Sequence, residues 1–135
     1  MQDLSQPFVD GLQTYPADLD AHVSVGADYD TDGYRSTKIE SGSHAGTHVD
    51  APAHILPAGK QLHEYDVADF VLDVIKVDCR DLSAREPIPA DRIPEDSTAD
   101  GVIFHTGWDD HWGSEQYLDH PYLSPEGAKL CAERG

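Results

Sequence analysis

Hydrophobic and polar positions along the chain predict a short series of strands. The strongest strand signal covers residues 70–77, where β-branched and aliphatic side chains surround two charged ones. A second apolar run covers residues 101–106 and is closed by Gly107. Residues 34–43 alternate in polarity and predict a third strand, which leads to His44.

The end of the chain predicts a helix. Ser124 can cap it, Pro125 suits its first position, Glu126 favours the positive end of its dipole, and Gly135 suits a C-terminal cap. A length of 135 residues fits a single domain over residues 1–135. Three convincing strands make little sheet to cover both faces of an α/β core, so we expect a fold that is incomplete at its C-terminus.

Composition narrows the class of partner. Hydrophobic residues make up 39% of the chain, which predicts a folded domain, while the formal net charge is −17. Such a surface repels phosphate backbones and anionic lipid, so neither nucleic acid nor a membrane is an expected partner. The clustered carboxylates predict a solvated acidic surface like that of salt-adapted proteins: Asp28, Asp30, Asp32, Asp91, Glu95, Asp96 and Asp100.

Two further features bear on the compartment. Cys79 and Cys131 lie far apart and predict neither a disulfide framework nor a zinc ribbon. The N-terminus has no basic start or apolar stretch, and no apolar run approaches membrane-spanning length. The cytoplasm is therefore the default expectation.

Residues 44–54 carry the candidate chemistry. They read His-Ala-Gly-Thr-His-Val-Asp-Ala-Pro-Ala-His, which places three imidazoles and one carboxylate within eleven positions. Zinc, manganese and iron prefer these ligand types. In an extended chain His48 and Asp50 project to one face roughly 6.6 Å apart, whereas His44 would lie roughly 13 Å from His48. The three can share an ion only if the backbone bends, and Gly46 permits that bend in a tight loop after a strand end.

His54 follows Pro52, which breaks the extended run, so we expect it beside a metal-bound water rather than as a ligand. A neutral imidazole there could take a proton from that water and return it to a leaving nitrogen. The alternative is a set of exposed or hydrogen-bonded imidazoles without a metal. The other histidines show no ligand spacing and are expected to have solvent-exposed or structural roles: His22, His63, His105, His111 and His120.

The whole segment His44–His54 resembles the His-x-Gly-Thr-His-x-Asp-x-Pro-x-His signature of the cyclase family, which includes bacterial kynurenine formamidases and isatin hydrolases. The resemblance extends to Asp3-Leu4-Ser5, Tyr15-Pro16, Gly59-Lys60 and residues 106–108, 111–113 and 120–124. It implies a swivelling β/β/α fold, a homo-oligomer (dimer or tetramer), and hydrolysis of a linear or cyclic amide at a zinc or manganese centre.

Carried over by position, the resemblance makes His44, His48 and Asp50 the metal ligands and His54 the catalytic acid/base. Family members with two metals draw a further His and Glu from a C-terminal segment, which we expect beyond residue 135. This chain departs from the usual family pattern at Ala17, where Gly commonly follows Tyr-Pro, and at His105, where Arg is common.

Three aromatic residues are candidates for contact with a substrate. Trp108 and Trp112 could form a wall for a flat molecule, although nearby tryptophans are more often packing residues. Tyr15 is a candidate of the same kind.

The preferred function is an arylformamidase that converts N-formylkynurenine to kynurenine and formate, in tryptophan catabolism, by means of metal-bound hydroxide. One alternative is an iron(II) enzyme that activates oxygen with a two-His, one-carboxylate triad formed by the same ligands. The other is a non-catalytic or metal-binding truncated member of the family.

Overall fold

The computed structural model describes residues 3–95 and 98–134. The chain forms two compact units, Met1–Glu64 and Tyr65–Gly135. Each has its own small β-structure and its own buried residues. The expectation of one domain over residues 1–135 stays a prediction.

The first unit contains an antiparallel pair of strands, β1 (His22–Ala27) and β2 (Ser36–Glu40), joined by a single helical turn, α1 (Tyr29–Asp32). The Asp28 carboxylate caps this turn by accepting from the Asp30 backbone N–H, as an N-cap aspartate does. These local hydrogen bonds reverse the chain and bring β2 back along β1. The hairpin delivers the chain to the segment that starts at residue 41.

The predicted strand over residues 34–43 is confirmed in its centre, as β2, and is shorter at both ends. The pairing ends where His22, the first residue of β1, lies opposite Glu40. β1 was not predicted, although Val23 and Val25 alternate with polar neighbours along it.

The second unit contains the remaining elements. They are β3 (Val74–Asp78), β4 (Pro87–Ile88), β5 (Gly101–His105), β6 (Tyr122–Leu123) and α2 (Pro125–Arg134). β3 runs parallel to β5, and β4 runs parallel to β6. Parallel strand pairs and a helix thus occur in the same unit. The mixed α/β class predicted from the sequence is therefore confirmed.

The core of the second unit is small. Cys79, Leu82 and Ile88 are buried at its centre, with Phe104 and Leu123 among the residues packed against them. Cys79 immediately follows β3, so the end of this strand is anchored in apolar surroundings. Both cysteines are free thiols.

The boundaries of the elements in the second unit agree unequally with prediction. β5 matches the predicted run within one residue. β3 begins at Val74, later than the predicted residue 70, because Val67–Phe70 forms a 3-10 turn. The Asp69 carboxylate stabilises this turn by accepting from the Asp66 backbone N–H at 3.0 Å.

The predicted C-terminal helix is confirmed as α2. The Ser124 hydroxyl accepts from the Gly127 backbone N–H at 3.0 Å, which is the expected N-cap contact. The predicted cap at Gly135 lies outside the described residues.

The acidic clusters lie at the surface where the structure describes them. The exposed members are Asp28, Asp30, Asp32, Asp91, Glu95 and Asp100, while Asp96 lies outside the described residues. Within residues 3–95 and 98–134, no helix combines the length and apolar character needed to cross a membrane.

Candidate metal centre

The candidate ligands lie on a loop of the first unit. β2 ends at Glu40, and the chain then passes through turns and bends as far as Asp50 without forming another strand. Gly46 has a φ of 69°, in the left-handed region that glycine adopts without a steric penalty. The bend that the sequence required between His44 and His48 is therefore present, and Gly46 is in it.

The loop is braced by the N-terminal segment of the same unit. A Cβ atom on Gly46 would lie 3.2 Å from the Leu12 side chain and 3.5 Å from that of Phe8. The Gln6 backbone N–H donates to the Thr47 hydroxyl at 3.0 Å. These contacts join the loop to residues far from it in the chain and hold the bend in place.

The bend brings two imidazoles and a carboxylate together. One ligand atom from each of His44, His48 and Asp50 lies within 4.8 Å of the other two. His44 Nδ1 is 2.7 Å from Asp50 Oδ1, and His48 Nε2 is 3.4 Å from the same oxygen. Ligands about 2.1 Å from a tetrahedral ion lie about 3.4 Å from each other. The His48–Asp50 separation matches this spacing, whereas the 2.7 Å between His44 and Asp50 is a hydrogen bond, so these two side chains must move apart by about 0.7 Å to share a cation.

The orientation of His48 is set by its other ring nitrogen. Nδ1 lies 2.8 Å from the Gly46 carbonyl oxygen. Because a carbonyl can only accept, Nδ1 donates to it, and Nε2, which faces Asp50, is the nitrogen available to bind a cation. A backbone carbonyl that orients a histidine in this way is a common support for metal-binding imidazoles.

The three side chains are only partly covered. The exposed fractions are 33% for His44, 30% for His48 and 51% for Asp50. A cation and a small ligand can therefore reach them from solvent. The donor set, two nitrogens and one oxygen, suits a divalent transition metal.

His54 lies beside this group and is not one of its three members. It ends a 3-10 turn, Pro52–His54, that begins with a proline at a position where the missing N–H carries no cost. Its ring packs on that of His44 with a centroid distance of 3.9 Å and an angle of 40° between the planes. The predicted acid/base is thus in contact with a predicted metal ligand, and its role stays a prediction.

A cavity of about 280 Å³ opens next to His44 in the same unit. It is lined by Thr14, Asp18 and Leu19 and by residues 42–45. No positively charged side chain is among these lining residues. Tyr15 follows Thr14, and 69% of its surface is exposed.

The two tryptophans belong to the second unit, where each packs on a different neighbour. Trp108 meets His111 edge to face at 5.0 Å, and its Nε1–H donates to the Gln116 carbonyl at 3.1 Å. Trp112 meets Tyr117 edge to face at 4.8 Å. These contacts are what packing residues make, while a role in substrate binding stays a prediction for both.

Some residues that shape the site were missed by sequence reasoning. Thr47, Phe8 and Leu12 brace the loop through contacts that no local pattern indicates. Thr14 and Asp18 line the cavity next to His44, and only their closeness to Tyr15-Pro16 could have drawn attention to them.

A sequence model of a family described as "Putative cyclase" matches residues 2–135. The chain belongs to the cyclase family. The resemblance found in residues 44–54 is therefore confirmed, and it extends over the rest of this cyclase chain.

Three relatives of the chain are kynurenine formamidases. The chain is 30% identical over 140 residues to a kynurenine formamidase of Bacillus cytotoxicus, a match that covers 98% of this chain and 63% of the relative. It is 27% identical over 146 residues to a kynurenine formamidase of Erythrobacter litoralis, with 95% and 62% covered. A kynurenine formamidase of Bacillus cereus is 30% identical over 83 residues, with 61% and 40% covered.

The fold of the cyclase chain is also found in a solved structure. An isatin hydrolase, crystallised with the product analogue thioisatinate, is similar with a TM-score of 0.72 at 22% identity. The match covers 97% of this chain and 61% of the isatin hydrolase. The predicted cyclase-like fold is confirmed, and the chain spans less than two thirds of the length of these relatives.

Proposed function

We propose that this cyclase chain carries the metal-binding and proton-transferring groups of an amide hydrolase, and that its substrate is an arylformamide such as N-formylkynurenine. The observation that carries the proposal is the meeting of His44, His48 and Asp50 within 4.8 Å, with the His54 ring packed on His44. The names of the relatives, kynurenine formamidase and isatin hydrolase, support an amide as the bond that is cleaved.

In this proposal His44, His48 and Asp50 hold a zinc or manganese ion. When bound, such an ion supplies Lewis acidity, which acidifies water and stabilises the negative charge that develops on a carbonyl oxygen. The Gly46 carbonyl keeps His48 in the tautomer whose Nε2 can act as a ligand. His54 takes a proton from the attacking water and returns it to the aryl amine nitrogen as the C–N bond breaks, so that the amine leaves and the formyl carbon is released as formate.

The cavity beside His44 is the proposed place for the substrate. Its volume of about 280 Å³ lies near the lower end for small-molecule sites, and it reaches a proposed metal ligand directly. The only formally charged group among its lining residues is the Asp18 carboxylate, and the chain has a formal net charge of −17. These charges favour a neutral or zwitterionic amide over a polyanion.

The test joins metal analysis to a formate assay. We expect protein purified without added metal to take up one zinc or manganese ion per chain, and to release formate from N-formylkynurenine only when loaded. His54→Ala should retain the ion and lose most of the formate release, by about 10²–10⁴-fold, the usual contribution of a general acid/base. An activity that survives intact in His54→Ala removes His54 from the reaction.

The same assay separates the alternatives. Formate release under strictly anaerobic conditions excludes the iron(II) enzyme that activates oxygen. Stoichiometric metal binding without turnover of any arylformamide supports the hypothesis of a non-catalytic, metal-binding member of the family. Failure to bind any divalent ion overturns the whole proposal.

The proposal includes assembly of the chain with copies of itself as a dimer or tetramer. Large apolar side chains of the first unit are strongly exposed, among them Val25 at 77%, Ile39 at 61% and Ile55 at 81%. Light scattering on the purified chain is the measurement, and a monomer at tens of micromolar would count against assembly.

A further inference from the structure

Gly59 lies against the backbone of the turn that carries His54. A Cβ atom on Gly59 would lie 2.5 Å from the Pro52 carbonyl carbon, 2.6 Å from the Pro52 oxygen and 2.6 Å from the Ala53 nitrogen. All three are backbone atoms, so no side-chain rotation can relieve the overlap. Only glycine fits at this position while the turn stays where it is.

Hydrogen bonds close the loop that runs from Pro52 to Lys60. The Ala53 N–H donates to the Lys60 carbonyl at 3.1 Å, and the Gly59 N–H donates to the Leu56 carbonyl at 2.9 Å. The Pro52 carbonyl accepts from the Leu56 N–H at 2.9 Å. Residues 52–60 therefore form a compact loop whose two ends touch.

This closure bears directly on His54. His54 is the last residue of the turn that Gly59 contacts, and its ring lies 3.9 Å from that of His44. Ordinary van der Waals contact begins at 3.4 Å, so a Cβ atom at 2.5 Å would have to retreat by 3.4 − 2.5, or about 0.9 Å. A shift of this size in a catalytic group can cost about 10²-fold in rate.

We propose that Gly59 is a positioning residue for the proposed hydrolase: the close contact of its backbone with Pro52 and Ala53 holds the His54 ring against His44. The inference rests on the proposed function, in which His54 moves a proton. Gly59 touches neither the metal ligands nor the substrate in this account. It acts only through the backbone of the turn.

The test is a double-mutant cycle on the metal-loaded chain with N-formylkynurenine as substrate. Gly59→Ala should lower kcat by about 10- to 100-fold with a smaller change in KM, and should bind zinc within about 3-fold of the wild-type affinity, because its three ligands do not move. In the His54→Ala background the same change should lower kcat by less than about 2-fold, because the group it positions is gone.

Two more variants separate positioning from general damage. Gly33→Ala is the matched control, since Gly33 has a φ of 77° in the same unit but a Cβ atom there meets nothing within 4 Å. It should lose stability and keep its kcat. If Gly59→Ala fails to fold, a second variant with one extra glycine inserted after Gly59 replaces it. This insertion adds no Cβ atom but loosens the closure of the loop, so it should also lower kcat.

A structural readout keeps this inference separate from the proposed function. In the wild-type chain and in Gly33→Ala, nuclear Overhauser contacts should join the ring protons of His44 and His54, and they should be lost in Gly59→Ala or in the insertion variant. If the wild-type chain releases no formate, the proposed function fails and these contacts alone decide the role of Gly59. Ring contacts that persist in both Gly59 variants, or an equal loss of kcat in the presence and absence of His54, would overturn the inference.

Discussion

Ala17 occupies a backbone conformation that glycine would adopt at lower cost. Its φ is 77°, and the Asp18 N–H donates to the Tyr15 carbonyl at 3.0 Å across it. With Pro16 in the second position and a positive φ in the third, residues 15–18 form a type II turn, which calls for glycine in that third position. We therefore predict that Ala17→Gly stabilises the protein.

The magnitude follows from two opposing terms. A non-glycine residue in the left-handed region costs about 1–2 kcal/mol, which the substitution relieves. The added freedom of glycine in the unfolded chain opposes this by about 0.4–1 kcal/mol. The expected net gain is about 0.5–1 kcal/mol, or about 2–4 °C in Tm for a protein of this size.

Urea unfolding followed by circular dichroism, together with a thermal melt, measures the effect. Ala51→Gly is the matched control, because Ala51 lies in the same unit with an ordinary φ of −84°. The control should lose stability by about 0.4–1 kcal/mol, since it gains only the unfolded-state freedom. If both variants shift the urea midpoint by the same amount in the same direction, the argument from backbone strain at Ala17 is wrong.

Three further predictions concern the metal centre, the thiols and the response to acid. Asp50→Asn should weaken zinc or manganese binding by more than about 100-fold by calorimetry, while Asp20→Asn, a change at an exposed carboxylate, should leave it unchanged. Cys79 is fully buried, and burial raises the pKa of its thiol, so the folded chain should present only Cys131 to a thiol reagent at neutral pH; rapid modification of both would contradict the burial. The Arg80 guanidinium lowers the pKa of Asp78, and Arg92 lowers that of Asp81. A carboxyl group with a lowered pKa in the folded state stabilises the protein above its unfolded-state pKa of about 3.9, and this stability is lost as pH falls through the folded-state pKa. Asp78→Asn removes this contribution. The variant should therefore lose less stability than the wild type between pH 5 and pH 2, as measured by the urea midpoint.

Local sequence was sufficient wherever the deciding contacts lie within a few residues. The capped helix after Ser124 and the strand at residues 101–105 form where their patterns predict them. The spacing of His44, His48 and Asp50 required a bend, and Gly46 was the residue able to make it. These predictions depended on ligand types, on parity along the chain and on backbone freedom, all of which can be read without knowing what packs against what.

Contacts between distant segments decided the rest. β1 was missed because a short strand with one exposed and one half-buried valine is recognised mainly by its partner. The predicted strand from residue 70 starts later because an aspartate caps a 3-10 turn there. Phe8 and Leu12 brace the metal loop from more than thirty residues away, and the closeness of Gly59 to Pro52 exists only after the loop has closed. The sequence by itself determined which donors could hold a cation, whereas the tertiary structure determined how the bend is held and where His54 lies, because those positions depend on packing that periodicity does not encode.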